Sequence, residues 1–258
     1  MGKAIAIFNQ KGGVGKTTTA INLAACLAEK GKKVLALDMD PQGNMSSGLG
    51  VQKDELEYSM YDALIGDRNI GECMIIDQFE NLNIVPSSIN LAGAEIELMA
   101  MEDNQKILRK MIHNKTFRKK FDFIIIDCPP SLSLLTVNAL TAADTVIVPI
   151  QCEFYALEGL SQLIYTINLI KKQLNKTLEI EGVVFTMYDT RTNLSQDVVT
   201  NIRENLDQII YDTIVPRNVR LAEAPSYGLP INLYDSRSTG AKAYRDLADE
   251  VIKNRLFL

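Results

Sequence analysis

Short apolar, β-branched runs punctuate the chain at residues 4–8, 34–37, 82–85, 123–126, 145–150, 182–185 and 231–233. Most are continuous rather than alternating, the pattern of strands buried on both faces. Between several of them lie stretches with apolar residues at helical spacing, over 17–30, 92–112, 157–173 and 196–208. Gly31 stands where a glycine ends the first of these helices. Strands alternating with helices predict βαβ units and a mostly parallel, twisted sheet with helices on both faces. No repeat and no Pro/Gly-rich linker divides the chain. The expected organisation is therefore one α/β domain over residues 1–258.

The first strand runs into KGGVGKTT at positions 11–18, and the first helix begins near Lys16. Strand, glycine-rich loop and helix in that order make a phosphate-binding loop, the P-loop of nucleoside-triphosphatases. Gly12, Gly13 and Gly15 let the backbone curl so that its N–H groups, with those of Val14 and Thr18, point at phosphates. The helix N-terminus adds partial positive charge. Lys16 is placed to neutralise the β- and γ-phosphates, and the Thr17 hydroxyl to ligate Mg²⁺. The general G-x-x-x-x-G-K-[ST] pattern asks for glycine at position 10, where this chain has Gln10; Lys11 follows and sets a second cation beside the nucleotide.

Two further strands end in carboxylates. The second closes on Asp38 and Asp40 in LDMDPQGN, at the strand edge where doubly wound sheets bind ligands. Residues two apart share a face if the strand continues, which would turn both toward the phosphates. The same Asp-Pro and Gln-Gly pairs also suit a plain polar turn. Three isoleucines lead to Asp127 in FIIIDCPP, the arrangement of a strand-end acid that holds Mg²⁺ through water; a bare cap on Ser131 is the simpler alternative.

Composition narrows the choice. In 258 residues, 27 Lys and Arg face 32 Asp and Glu, giving a net charge of −5, so any nucleic-acid contact must come from a local patch. The 4 cysteines (Cys26, Cys73, Cys128 and Cys152) form no C-x-x-C pair and are expected to be reduced and mostly buried. A lone His113 argues against a Ser-His-Asp triad or a zinc site. Met1-Gly2 has Ala6 where myristoylation wants Ser or Thr, and no apolar stretch is long enough for a membrane span.

These motifs, together with QCEFYALEG at 151–159 and VPRNVRLAEAP at 215–225, closely resemble the ParA/Soj chromosome-partitioning ATPases of the wider MinD/ParA group, nearly end to end. The loop matches that group's deviant Walker A motif, K-G-G-x-x-G-K-[ST]. The resemblance implies an ATP- and Mg²⁺-dependent switch with slow intrinsic hydrolysis. It implies a homodimer in the ATP state, with Lys11 reaching the partner's nucleotide. It also implies that Asp40 positions the attacking water, that Asp38 lies near the metal, and that Met187 with Pro216, Arg217 and Asn218 contacts adenine. Such a dimer binds double-stranded DNA without sequence specificity, and a ParB-type centromere-binding protein stimulates hydrolysis and releases it. A cytoplasmic, nucleoid-associated protein without membrane attachment follows.

The DNA contacts implied are Arg191, Arg217 and Arg220. Yet residues 189–220 hold four arginines (191, 203, 217, 220) against five acids (189, 197, 204, 207, 212), so a basic surface requires folding or pairing of subunits. The same arginines would also serve a dimer interface or the nucleotide. Lys115, Arg118, Lys119 and Lys120 form the densest basic run and read as a solvated helix end. The alternative output, a MinD-like membrane switch, needs a basic amphipathic C-terminal helix; the segment at 248–258 is short, and its few apolar residues are mixed with Asp249 and Glu250. An iron–sulfur carrier sharing the loop needs cluster cysteines that the spacing does not provide.

Overall fold

The computed structural model describes residues 2–154 and 156–255. Met1, Tyr155 of the QCEFYALEG segment and the last three residues, 256–258, lie outside the described residues. The strands are β1 Lys3–Ile7, β2 Val34–Asp38, β3 Ile75–Phe79, β4 Leu82–Val85, β5 Phe123–Asp127, β6 Thr145–Gln151, β7 Glu179–Tyr188 and β8 Ile210–Pro216. The helices are α1 Lys16–Glu29, α2 Asn44–Gly48, α3 Met60–Ile65, α4 Leu91–Met99, α5 Ile107–Ile112, α6 Lys115–Arg118, α7 Leu134–Ala142, α8 Ala156–Gln173, α9 Asn193–Asn205, α10 Val219–Glu223, α11 Ile231–Tyr234 and α12 Thr239–Arg255.

One sheet runs in the order β3-β4-β2-β5-β1-β6-β7-β8. Every pairing is parallel except that of the edge strand β3 with β4. The period of two along β1 sends Ala4, Ala6 and Phe8 to one core and Ile5 and Ile7 to the other. Both faces are covered, which is why the central strands read as unbroken apolar runs. The chain leaves β1 toward β2 on one side, while β5 and α7 lead back over it to β6 on the other. That reversal of winding opens a crevice at the C-terminal ends of β1 and β5, where such sheets bind ligands.

Three expectations are corrected. Residues 231–233 form the helix α11, not a strand: Pro230 precedes it, and the Ile231 N–H is spent on Asn22 Oδ1 at 2.7 Å. The helix expected over 92–112 is broken into α4 and α5, because Glu102-Asp103-Asn104 makes a polar turn with Asp103 at φ 56°. Arg118 is not a solvated helix end. It is buried, its Nε donates to Gly2 O at 2.7 Å, and it pairs with Asp144, whose carboxylate also receives the Ala4 N–H. The described C-terminal segment is the helix α12, laid along α1 with Tyr244, Leu247, Ala248 and Val251 buried.

Candidate functional site

The loop after β1 is held from several directions. Asn9 Nδ2 donates to Pro149 O at 2.8 Å, and Asn9 Oδ1 accepts the Lys11 N–H at 3.0 Å. Gln10, the residue in place of glycine, donates from Nε2 to Thr166 Oγ1 on α8 at 3.0 Å. Thr186 of β7 donates its hydroxyl to Val14 O at 2.8 Å. Gly13 and Gly15 sit at φ 75° and 86°, left-handed values that explain glycine at both. Gly15 caps α1, and no side chain occupies that helix N-terminus, which leaves the orphan N–H groups for an anion.

Lys16 lies inside this curl. It is buried, and its Nζ donates to Lys11 O at 2.8 Å. Burial holds its pKa below the usual lysine value, against the pull of the Asp127 and Asp40 carboxylates. Lys11 turns outward: its side chain is half exposed and paired with Glu153 of the same chain. The two lysines of the motif therefore occupy different environments, one facing the nucleotide pocket and one at the rim.

Register explains the carboxylates. Asp127 sits opposite Ile7 at the end of β1 on one side and opposite Asp38 on the other. All three acids are buried, but they are used differently. Asp38 Oδ2 accepts the Ser46 hydroxyl at 2.6 Å and the Ser46 N–H at 2.8 Å, while Oδ1 accepts the Asp40 N–H at 3.2 Å. Its oxygens are thus occupied in tying down the segment that follows β2. Asp40 Oδ1 caps the Gln42 N–H at 2.9 Å. Neither oxygen of Asp127 has a hydrogen-bond partner, although both are fully enclosed. An orphaned buried carboxylate is costly unless a ligand completes it, so of the three acids Asp127 is the one free to receive a hydrated cation.

A Mg²⁺ ion fits this donor set. No group of three or more His, Cys, Asp and Glu among the described residues would hold a metal unaided. Mg²⁺ does not require one, because it keeps waters and binds through one or two carboxylates plus phosphates. Thr17 and Asp127 would hold it, and the ion would neutralise charge on the transferring phosphoryl group.

Burial pushes the carboxyls of Asp38 and Asp127 up, Asp38 to about 6, with the Ser46 hydrogen bonds opposing the rise at Asp38 and the neighbouring Asp38 charge adding to it at Asp127. A carboxyl whose folded pKa exceeds its unfolded one stabilises the fold below the unfolded value, and that stability is lost as pH rises through the folded value. The nucleotide-free protein without Mg²⁺ should therefore be more stable near about pH 5 than near about pH 7, by on the order of 1 kcal/mol. Thermal melts across that range, compared with Asp127→Asn, check this: the variant should show a flatter slope, and equal slopes would contradict it.

On one flank of the loop a cleft of about 310 Å³ is lined by Gly15, Thr18, Met187, Pro216, Arg217 and Asn218, among others. The expected adenine residues are thus brought together beside the phosphate loop. Met187 holds φ at 51°, an unusual conformation for its type and of the kind found at ligand clamps. Asn218 Oδ1 caps the Arg220 N–H, and its Nδ2 donates to Thr239. A second cleft of about 340 Å³, lined by Asn9, Lys11, Val14 and Gly159, opens on the opposite flank.

The three candidate DNA arginines are exposed but not equivalent. Arg191 is clasped by Asp189 through two hydrogen bonds at 2.9 and 2.7 Å, which holds that carboxyl well below the usual range. Arg220 pairs with Glu223 at 2.9 Å and Asp235 at 3.6 Å. Arg217 has no ion pair among the described residues and stands at the mouth of the 310 Å³ cleft. Sequence reasoning missed Ser46, Glu153 and Asp189, whose roles arise only from contacts.

His113 is no catalyst: Nε2 meets Ala142 O at 2.9 Å and Arg118 lies against the ring. The four cysteines are buried and free, and burial pushes Cys26 and Cys152 up to about 12.

Comparison with known proteins agrees with this geometry. Residues 2–180 match the AAA domain family. The chain is 54% identical to the sporulation initiation inhibitor protein Soj of Bacillus subtilis, over 98% of this chain and 100% of that protein. It is 50% identical to the chromosome partitioning protein ParA of Myxococcus xanthus, over 98% and 89%. A crystal structure of cobyrinic acid a,c-diamide synthase from Mycobacterium smegmatis, with bound ADP and magnesium, superposes with a TM-score of 0.86 at 35% identity, covering 99% of this chain and 96% of that one.

Proposed function

We propose, for a chain that belongs to the ParA/Soj family of chromosome-partitioning ATPases, a DNA-segregation switch in which Mg-ATP drives dimerisation and non-specific DNA binding. ATP hydrolysis with Mg²⁺ is the chemistry of the family. The observation that carries the rest is the outward Lys11, exposed at the rim of its own phosphate loop and held there by Glu153. A lysine so placed can exchange Glu153 for the phosphates of a facing subunit. Asp40 orients water, while Lys16, Thr17 and Asp127 hold Mg-ATP, and the loop's N–H groups (residues 12–18) cradle the phosphates. The base lies against Met187 and Pro216–Asn218. Residues 1–258 act as one domain, in the cytoplasm and on the nucleoid, and a ParB-type protein stimulates hydrolysis.

A MinD-like membrane role is less well supported. The apolar face of α12 is already covered by α1 and β8, and no helix among the described residues is long and apolar enough to cross a membrane. The synthase named for the mycobacterial structure shares less of the sequence than the partitioning proteins do.

The test is binding to random-sequence duplex DNA with ATP, ADP or no nucleotide, at two salt concentrations. Wild type should bind only with ATP. Lys16→Ala should not bind, and Asp40→Ala should bind persistently because hydrolysis is slowed. Arg191→Ala should lose about tenfold in affinity and about one unit of salt slope for each phosphate contact removed. Asp189→Asn should act oppositely, because it frees the clasped guanidinium. No DNA binding in any nucleotide state would sink the reading, and anionic vesicles would be tried next.

A further inference from the structure

The basic run that leads into β5 has no part in the nucleotide site. Residues 104–121 hold seven Lys and Arg (106, 109, 110, 115, 118, 119, 120) and no Asp or Glu. Two of these cations turn inward: Arg109 donates to Thr141 O at 2.8 Å, and Arg118 pairs with Asp144. The lysines are all exposed. A solvated patch requires no concavity, yet this one borders a pocket of about 510 Å³ between the end of α3 and the α5–α6 segment. Lys120 lines that pocket three residues before β5 begins, so it opens at the end of the strand opposite Asp127.

The lining has one sign of charge. Arg68, Lys110 and Lys120 contribute to it, and no carboxylate does. Arg68 and Lys120 have no ion pair among the described residues. The Arg68 guanidinium carbon stands 4.5 Å over the Tyr58 ring, which steadies its fork. Lys110 shares an exposed pair with Asp103 at 2.9 Å, which an incoming anion displaces easily. Neutral donors complete the wall. Asn69 Oδ1 accepts the Gly71 N–H, and Asn114 Oδ1 accepts those of Thr116 and Phe117. Each side-chain oxygen is thus fixed on the backbone, and each NH₂ group is left without a protein acceptor among the described residues. The acids nearby in sequence are held elsewhere: Asp62 caps α3 at Ser59, and Glu72 accepts the Asn69 N–H. Ile70, Met111 and Phe117 make the apolar part of the wall.

Cations and amide donors without a carboxylate select an anion. A concavity of this size with apolar side chains beside the donors suits a compact ligand rather than an extended duplex. We propose that this pocket is a second ligand site, which binds a small phosphorylated molecule carrying a planar ring. Arg68, Lys110 and Lys120 take the phosphate, Asn69 and Asn114 orient it, and Ile70, Met111 and Phe117 cover the ring. The site is separate from the P-loop and does not depend on the partitioning reading.

Calorimetric titration of the nucleotide-free full chain tests this, with phenyl phosphate, inorganic phosphate and a short random-sequence duplex as probes. Phenyl phosphate should bind at least about fivefold tighter than inorganic phosphate, because its ring leaves water. Arg68→Ala with Lys120→Ala should weaken phenyl phosphate at least about tenfold. Lys115→Ala with Lys119→Ala removes the same charge from the same run but outside the pocket, and should change affinity less than about twofold. Lys16→Ala should leave the binding unchanged. The substituted surface side chains are exposed, so both double variants should melt with wild type. Failure of wild type to bind phenyl phosphate overturns the proposal. Loss of binding in Lys16→Ala also overturns it, by assigning the phosphate to the P-loop. Equal losses in the two double variants, or binding of the duplex alone, overturn it by making the run a diffuse face for nucleic acid.

Discussion

Asp127→Asn is expected to be more stable than wild type without nucleotide and nearly inactive with it. The carboxylate is fully buried at the end of β5, has no hydrogen-bond partner and faces Asp38 in register across the adjacent strand. Enclosure and the neighbouring acid both raise its pKa, so the ionised form is held in the fold at a free-energy cost. The amide is nearly the same size, carries no charge and brings two donors. Replacing an unpaired buried charge in this way should stabilise the nucleotide-free protein by about 1–3 kcal/mol, a rise of roughly 2–4 °C in melting temperature per kcal/mol for a chain of this order of size. Activity should move the other way. The metal's hydration shell would lose its anionic anchor, and turnover should fall by roughly 10²–10³, comparable to removing one preorganised charge-stabilising group. The pair of measurements is a thermal melt without nucleotide and steady-state phosphate release with saturating Mg-ATP. A variant that melts lower and hydrolyses normally would show that Asp127 is a structural cap.

Lys16→Ala should lose ATP binding, turnover and every nucleotide-dependent output together. Lys16 is buried, and its Nζ is already aimed into the loop by the bond to Lys11 O. It approaches the phosphates along a fixed path, with little conformational freedom left to lose. Its charge is held in a partly desolvated pocket by Asp127 and Asp40, where interaction with a triphosphate is stronger than in water. Affinity for a fluorescent ATP analogue should drop by about 10²-fold and turnover by about 10³. Lys16→Arg should rescue poorly, because the planar fork does not fit a space shaped for a single ammonium. Lys11→Ala supplies the contrast: its side chain is at the rim, so ATP affinity should fall by less than about threefold. Equal losses in the two variants would mean that the loop cannot be divided into an inner and an outer lysine.

The loop, the strand-end acids and the central strands were legible because each depends on residues adjacent in sequence. Glycines at 12, 13 and 15 set backbone angles locally, and strands buried on both faces leave unbroken apolar runs at 4–8 and 123–126. The edges were not legible. In β3 the apolar run is broken by Asp77 and Gln78, and in β8 by Asp212 and Thr213. Edge strands need only one covered face, so their pattern is weak; at β8, Glu250 of α12 accepts the N–H groups of Asp212 and Thr213. Pairings between distant residues were out of reach as well. Nothing near Lys11 announces Glu153, and nothing near Asp38 singles out Ser46 among the neighbouring serines. The break between α4 and α5 was missed because apolar residues keep helical spacing on both sides of it, while three polar residues between them decide the turn.

The position of β1 has a consequence for how the protein is made. It is synthesised before every other strand, yet it lies between β5 and β6, whose residues begin at 123 and 145. Its phosphate loop is braced by Pro149, Thr166 and Thr186, and the far wall of the adenine cleft is supplied by residues 216–218. On the ribosome, chains grow at about 5–20 residues per second, so the loop waits for its supports for on the order of ten seconds or more. During that interval a nascent chain lacks both the braces that shape the loop and the wall against which the base would rest. The order of translation thus delays a complete nucleotide cleft until the chain has grown past residue 218.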